Sequence, residues 1–469
     1  MEYGIHLILF IASWVILAYF FLININYSIF MILSLIGLFR YRKQMTYVYF
    51  KELFHFPSVK PVSIIVPAYN EEQSIIESVN SLLSLEYPKY EVIVVNDGST
   101  DSTLSRLINY YDLKPSEKVY RKVLDTKPVR NIYISPSHSK LIVVDKENGK
   151  KADALNAGLN ISRYPLFCAV DSDSLLEKEA LLKVVRPFLE DPERTIASGG
   201  IIRLSNGSRV ESGRVYDISL PWNLLVLFQV IEYLRAFLGG RMGLSMTGSL
   251  LVISGAFGMF RKDVALACGG YRKETVGEDM DLVVRMQKYM REKKSPYVVK
   301  FVPDPICWTE GPDSLKMLSR QRNRWHRGLV ESITHSFKMF LNPRYGTTGL
   351  LAMPFYTVFE MLGPVIEVIG YAMFLFYIIS GRINETFALL FFIVAVVFGT
   401  VLSLSSILLE EYSSYRYPKL RHIMRLMLAA VMENLVYRQA LAFIRLKSFF
   451  DLFKGKREWG EMRKRGFAR

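Results

Sequence analysis

Apolar positions are spread very unevenly along the 469 residues of this chain. Residues 5–39 are almost wholly apolar, as are two later blocks at about Leu350–Ile379 and Phe387–Leu409. Each exceeds the roughly 20 residues a helix needs to cross a bilayer. From about Lys60 to Gly328 the pattern changes. Short β-branched runs alternate with helical stretches: Val62–Pro67, a helix near Ser74–Ser84, Glu91–Asn96, a helix from Thr100, then Leu141–Asp145 and Leu166–Asp171. Near-continuous apolar strands separated by helices predict a parallel sheet covered on both faces. Such sheets bind ligands at the carboxyl ends of their strands.

The expected layout is a membrane anchor over 1–40, a soluble α/β domain over 61–332, transmembrane helices over 348–410, an interfacial or transmembrane helix over 420–446, and a basic tail over 447–469. The first run is too long for a signal peptide and no small-residue cleavage site follows it. It reads as one long or tilted span interrupted by Asn24 and Asn26, with two short passes as the alternative. Pro354 and Pro364 break the next apolar run, so its opening part is expected at the membrane surface. Ile423–Leu446 is ambiguous because it carries Arg425, Glu433, Asn434, Arg438, Gln439 and Arg445. Polar groups in a span are costly and face a cavity or one another; the helix lies along the interface or lines a channel.

Composition adds the orientation. Hydrophobic residues make up 51% of the chain and the net charge is +15. The basic residues flank the apolar runs, as in Arg40-Tyr41-Arg42-Lys43 and in the tail, which holds eight basic and three acidic residues. That is the positive-inside pattern, and it puts the central domain and the tail in the cytoplasm of a multi-pass cell-membrane protein. No helix-turn-helix, zinc-finger or RNA-binding signature accompanies the charge, so nucleic acid is not an expected partner. Cys168, Cys268 and Cys307 are single and far apart, which suggests neither a disulfide framework nor a thiolate metal site.

Candidate chemistry gathers at the ends of the predicted strands. Asn70 and Glu71-Glu72 follow the first strand, and Asn70 is a candidate helix cap. Asp97 ends the next long strand beside Gly98, where a base or ribose can donate to a carboxylate; Ser99 and Asp101 are equally suited to capping a helix. Asp171-Ser172-Asp173 follows an apolar strand, and residues two apart on a strand share a face. Two carboxylates so placed suit Mg²⁺ or Mn²⁺, which take oxygen ligands and complete their shell with substrate phosphates. Lys150 and Lys151 open a helix as candidate phosphate contacts. Gly277-Glu278-Asp279-Met280-Asp281 supplies three acids, of which Asp279 is the candidate base. Gln321, Arg324 and Trp325 sit at i, i+3 and i+4 of a helix near the membrane, with the Trp325 ring suited to stacking on a sugar.

In this order, these elements resemble the membrane-integrated family-2 glycosyltransferases: the cellulose, chitin, hyaluronan and poly-N-acetylglucosamine synthases. The resemblance covers about Pro61 to Gly328 and, in general layout, the flanking spans. It implies a cytosolic nucleotide-diphospho-sugar transferase domain of the GT-A, Rossmann-like class. By it, Asp97 contacts uridine, Lys151 the donor phosphates, and Asp171 and Asp173 the donor and the metal. Asp279, paired with Glu278, is the general base of an inverting transfer, and Gln321, Arg324 and Trp325 hold the acceptor and diphosphate. Ser254-Gly255-Ala256-Phe257-Gly258 resembles the acceptor-facing segment. The acid pair departs from the common pattern in following Gly277 rather than Thr, and the C-terminal membrane region is short for a wide channel.

The leading expectation is therefore a processive hexosyltransferase building a β-linked polysaccharide from a UDP-sugar, UDP-N-acetylglucosamine or UDP-glucose, with export left open. The alternative is transfer of one sugar to a lipid or lipid-linked acceptor. A transporter or non-catalytic scaffold has only the polar last helix to support it.

Overall fold

A computed structural model describes residues 2–45, 59–211, 214–381, 384–413, 417 and 419–455. The expected tail therefore lies largely outside the described residues.

Among the described residues twelve strands form: β1 (Val62–Ala68), β2 (Tyr90–Asp97), β3 (Lys114–Pro115), β4 (Val129–Ile134), β5 (Leu141–Lys146), β6 (Leu166–Val170), β7 (Ser174–Leu176), β8 (Thr195–Leu204), β9 (Arg209–Glu211), β10 (Arg214–Asp217), β11 (Phe257–Arg261) and β12 (Val298–Thr309). Ten of them make one sheet in the order β3-β4-β5-β2-β1-β6-β11-β8-β12-β7, and β9 and β10 form a separate hairpin. The segment β5-β2-β1-β6 is parallel, as the apolar runs predict. All eight residues of β2 are buried, which requires cover on both faces.

The sheet as a whole is mixed, not parallel. β11 runs antiparallel to both β6 and β8, β4 to β5, and β7 to β12. Those pairings are non-local, and no short-range pattern announces them. The antiparallel β6–β11 register sets Val170 against Phe257, so the residues after Val170 lie beside those before Phe257.

The N-terminal run is one helix, Glu2–Met45. Asn24 does not break it: its side-chain amide donates to Phe20 O in its own helix and to Val394 O of a neighbouring helix, each at 2.7 Å. Further along, Phe30 and Leu38 are buried in the core shared with the α/β domain, and Ser34 donates to Gly239 O at 2.8 Å. The anchor thus continues as part of the domain.

Among the described residues three helices are long and apolar enough to cross a membrane: Phe10–Gln44, Glu385–Ser413 and Leu420–Phe453. A fourth arises if Thr348–Met361 and Gly363–Ile379, bent by 40°, count as one broken span. The bend falls just before Pro364, where an amide donor is missing. The last helix runs past the expected end at 446 to Phe453, and the polar residues at its middle face protein. Glu433 and Asn434 are fully buried; Glu433 pairs with Arg235, and Asn434 accepts from Arg438 at 2.9 Å.

Candidate functional site

The crossover from β5 to β6 is the helix Lys150–Ile161, packed so closely that a Cβ at Gly158 would lie 2.3 Å from the Ile65 side chain. That contact brings the first turn of the helix, and Lys151, over the carboxyl ends of β1 and β6. The Lys151 ammonium lies 2.6 Å from Asp171 and 3.1 Å from Glu278. Burial opposes its charge, but Asp171 and Glu278 outweigh burial and hold its pKa above the ordinary lysine value, with Arg324 pushing the other way.

Gly255 stands at the centre of this group. Its amide donates to Asp279 Oδ2 at 2.9 Å, and a Cβ there would sit 3.2 Å from that oxygen and 3.3 Å from Lys151 Nζ. Next to it, Ala256 O accepts from the Asp171 amide at 3.3 Å. The segment 254–258 therefore joins Asp171 to Asp279, a link that no spacing in the sequence reveals. Asp279 Oδ1 accepts from the Met280 amide at 2.8 Å, so the carboxylate is fixed at the positive end of the helix Glu278–Glu292. Asp281, the third acid, is buried against Arg272 at 3.1 Å and Arg285 at 2.7 Å and faces away from the group.

Asp171 and Asp173 are not on a strand. β6 stops at Val170, and the Ser174 amide closes a turn on Asp171 O at 3.0 Å. The argument that residues two apart share a face does not apply in a turn. Both acids are half-buried, Asp171 is engaged by Lys151, and no group of three or more His, Cys, Asp or Glu side chains that could hold a metal occurs among the described residues. Two carboxylates beside a cation still suit a hard ion held by one or two side chains and by substrate phosphates.

Asp97 has different company. It ends β2, two strand positions from β6 and so about 10 Å across the sheet. Its Oδ1 accepts from Lys146 Nζ at 2.6 Å and from the Gly149 amide at 3.0 Å. Lys146 is wholly buried and also lies 2.7 Å from Asp153, whose other oxygen meets Lys273 at 3.1 Å. Burial raises the Asp97 pKa, with Lys146 offsetting part of the rise. Gly98 has φ +66, and a Cβ there would lie 2.8 Å from the Asn148 amide nitrogen, so only glycine fits this crossing. No sequence signal marks Lys146 or Asp153, because a single charge closing a strand or lying in the first turn of a helix reads as solvated.

Asn70 is not a cap. It has φ +55, and its carboxamide accepts from the Thr100 amide at 2.8 Å, tying the loop after β1 to the loop after β2. Asp101 precedes Ser102, the cap position of the helix Thr103–Tyr110, and accepts from the Thr103 amide at 3.0 Å. Lys150 is exposed, with φ +71, and makes no contact with the group.

The helix Leu315–His335 presents two faces. Gln321 and Arg324 are half-buried and Trp325 is exposed on one face; Arg322, Asn323, His326 and Arg327 are buried on the other. Arg322 pairs with Glu232 at 2.8 Å and lies 4.1 Å from the Trp325 ring centre. Asn323 donates to Asp451 at 2.9 Å, and His326 bonds Ser448 at 2.6 Å and Met361 O at 3.1 Å. These contacts clamp the helix to the helix Leu224–Leu234, to the last apolar helix and to the bent apolar pair. Gly277 explains the departure from Thr: a Cβ there would sit 2.6 Å from Gly328 Cα, so a glycine pair lets the acid-bearing helix meet the Trp-bearing one.

The model of glycosyl transferase family 2 matches residues 63–267, and that of glycosyl transferase family group 2 matches residues 166–402, half of the chain. A poly-β-1,6-N-acetyl-D-glucosamine synthase of Staphylococcus epidermidis is 26% identical over 279 residues, 60% of this chain and 57% of that protein. The corresponding synthase of Staphylococcus aureus is 26% identical over 276 residues, 59% and 56%. The match thus spans a little over half the length of these relatives. In fold, the chain is similar to a mannosyltransferase from Pyrobaculum calidifontis solved with GDP-mannose and Mn²⁺, with a TM-score of 0.52 and 18% identity over 90% of this chain and 99% of that one. The mixed sheet, the helices apolar enough for a bilayer and the two family matches agree: this chain belongs to the family-2 glycosyltransferases and is an enzyme of sugar transfer.

Proposed function

We propose that the chain is an inverting, metal-dependent membrane glycosyltransferase that moves a sugar from a UDP-sugar to a growing polysaccharide. The convergence of Lys151, Asp171, Glu278 and Asp279 around Gly255 carries this reading. The similarity to poly-N-acetylglucosamine synthases makes N-acetylglucosamine the first sugar to test.

In this reading Asp97 Oδ2 accepts from the uracil, while Lys146 holds the other oxygen and neutralises the buried carboxylate. Lys151 and Arg324 meet the diphosphate. Asp171 and Asp173 would hold Mg²⁺ or Mn²⁺, whose Lewis acidity stabilises the departing nucleoside diphosphate. The acceptor hydroxyl oxygen attacks the anomeric carbon from the face opposite the diphosphate, and Asp279 takes its proton. The Gly255 and Met280 amides aim the Asp279 carboxylate and keep it from turning onto Lys151. Trp325 stacks on the acceptor sugar, and Gln321 lies one helical turn away on the same face.

Incubating the reconstituted protein with each UDP-sugar and metal, then following UDP release and product mass, tests the proposal. Long β-linked chains from one UDP-sugar are expected; no UDP release from any donor overturns the reading.

A second reading, transfer of one sugar to a lipid or lipid-linked acceptor, draws on the closed bundle. Glu433 and Asn434 are engaged by Arg235 and Arg438 rather than lining a channel. Single-sugar products in the lipid extract would select it.

A further inference from the structure

A second basic site lies away from the cleft. The helix Glu278–Glu292 carries Asp279 in its first turn and Arg291 in its last. A rise of about 1.5 Å per residue separates the two by about 18 Å. Around that far end Arg291, Lys294, Ser295, Pro296 and Arg344 line an open concavity of about 490 Å³.

Its construction is specific. Lys294 has φ +54 in the turn that ends the helix, where its amide donates to Arg291 O at 3.0 Å and that of Ser295 to Met290 O at 2.9 Å. Glycine is the usual residue there, and a lysine pays in backbone strain for placing its ammonium at the rim. Gly346, with φ +59, makes room on the other side: a Cβ would lie 2.5 Å from Arg291 Nη2. Tyr345 donates to Glu292 at 3.2 Å and fastens the turn that carries Arg344 to the helix end. Arg291 Nε is buried without a hydrogen-bond partner among the described residues, and no ion pair neutralises Arg291, Lys294 or Arg344 among them.

The surroundings are apolar. Phe337, Leu341 and Leu350 are 52%, 58% and 50% exposed, and Thr348 opens the bent apolar helix pair directly after this turn. Exposed apolar side chains beside clustered cations are the pattern of a segment seated at the headgroup level of an anionic leaflet. We propose that Arg291, Lys294 and Arg344 bind the phosphate of an anionic lipid headgroup.

The test uses the full chain in zwitterionic micelles, with thermal unfolding followed as short-chain phosphatidylglycerol or inorganic phosphate is added. Phosphatidylglycerol is expected to raise the Tm. The double variant Lys294→Gly, Arg344→Gln is expected to keep the starting Tm, because glycine relieves the turn, and to bind the lipid about thirtyfold more weakly for the loss of two cations. Lys293→Gln removes a neighbouring charge outside the lining and is expected to keep the full rise. An equal loss in Lys293→Gln would reduce the effect to net charge and overturn the site. A double variant that keeps the rise would do the same, and an equal rise with inorganic phosphate would overturn the lipid source.

Discussion

The proposed donor half of the site, around Asp97, and its proposed membrane half, on the helix Leu315–His335, are both rich in charge, but the charges are held in different ways. On the donor side Asp97, Lys146 and Asp153 come from a strand end, the next strand end and the helix that follows, and their oxygens and ammonium are matched within 2.6–2.7 Å. The backbone of one sheet decides that arrangement. On the membrane side Arg322, Asn323 and His326 find Glu232, Asp451 and Ser448, residues 90, 128 and 122 positions away. There, whole helices must dock before any pair exists. Charge at a strand end is positioned by the sheet, whereas charge on a helix face is positioned by what the helix lies against.

The largest expected effect separates chemistry from scaffold. Asp279→Asn retains a side chain that can accept from the Gly255 amide but removes the proposed base, and should lower turnover about a thousandfold with the Tm unchanged. An unchanged rate would move the base elsewhere.

On the membrane side, Arg322→Met leaves Glu232 buried without its guanidinium. We expect a loss of about 3–5 kcal/mol in denaturant unfolding. Loss of activity without loss of stability would make Arg322 part of the cleft rather than of the clamp.

Gly277→Ala probes the joint between the halves. Overpacking against Gly328 should cost about 1–3 kcal/mol and lower kcat, because Glu278 and Trp325 sit on the two helices it pushes apart.

His326 gives the membrane side a pH signature. Burial, with Arg445 adding to it, pushes its pKa down to about 4. The unfolded chain, with an ordinary pKa near 6.5, binds the proton first, so stability is fully present above about pH 6.5 and falls as pH drops toward 4. The limiting slope is about 1.4 kcal/mol per pH unit, and His326→Gln should flatten the Tm profile over that window.

The smallest effect is at Trp325. Trp325→Ala should raise the acceptor KM about tenfold, a stacking contribution near 1 kcal/mol, and barely change the Tm because the ring is 42% exposed.

Much of the donor half was legible in the sequence. The apolar runs before Asn70, Asp97 and Asp171 placed β1, β2 and β6 along the chain, because a strand buried on both faces has to be apolar throughout. Helical spacing also placed Gln321, Arg324 and Trp325 on one face. The order β6-β11-β8-β12 was not legible: antiparallel insertion of β11 depends on contacts between segments some 90 residues apart. The turn at Asp171–Ser174 was misread for the same reason, since β6 ends opposite the first residue of its antiparallel partner β11, Phe257.

The sequence by itself determined which segments are apolar enough to span or to be buried, which strand ends carry acids, and the family the motifs resemble, because periodicity and residue type act locally. Only the tertiary structure decided that Gly255 joins Asp171 to Asp279, that Lys146 neutralises Asp97, and that Gly277 meets Gly328. Each depends on two backbones approaching to within a side chain's width, a distance that sequence separation does not encode.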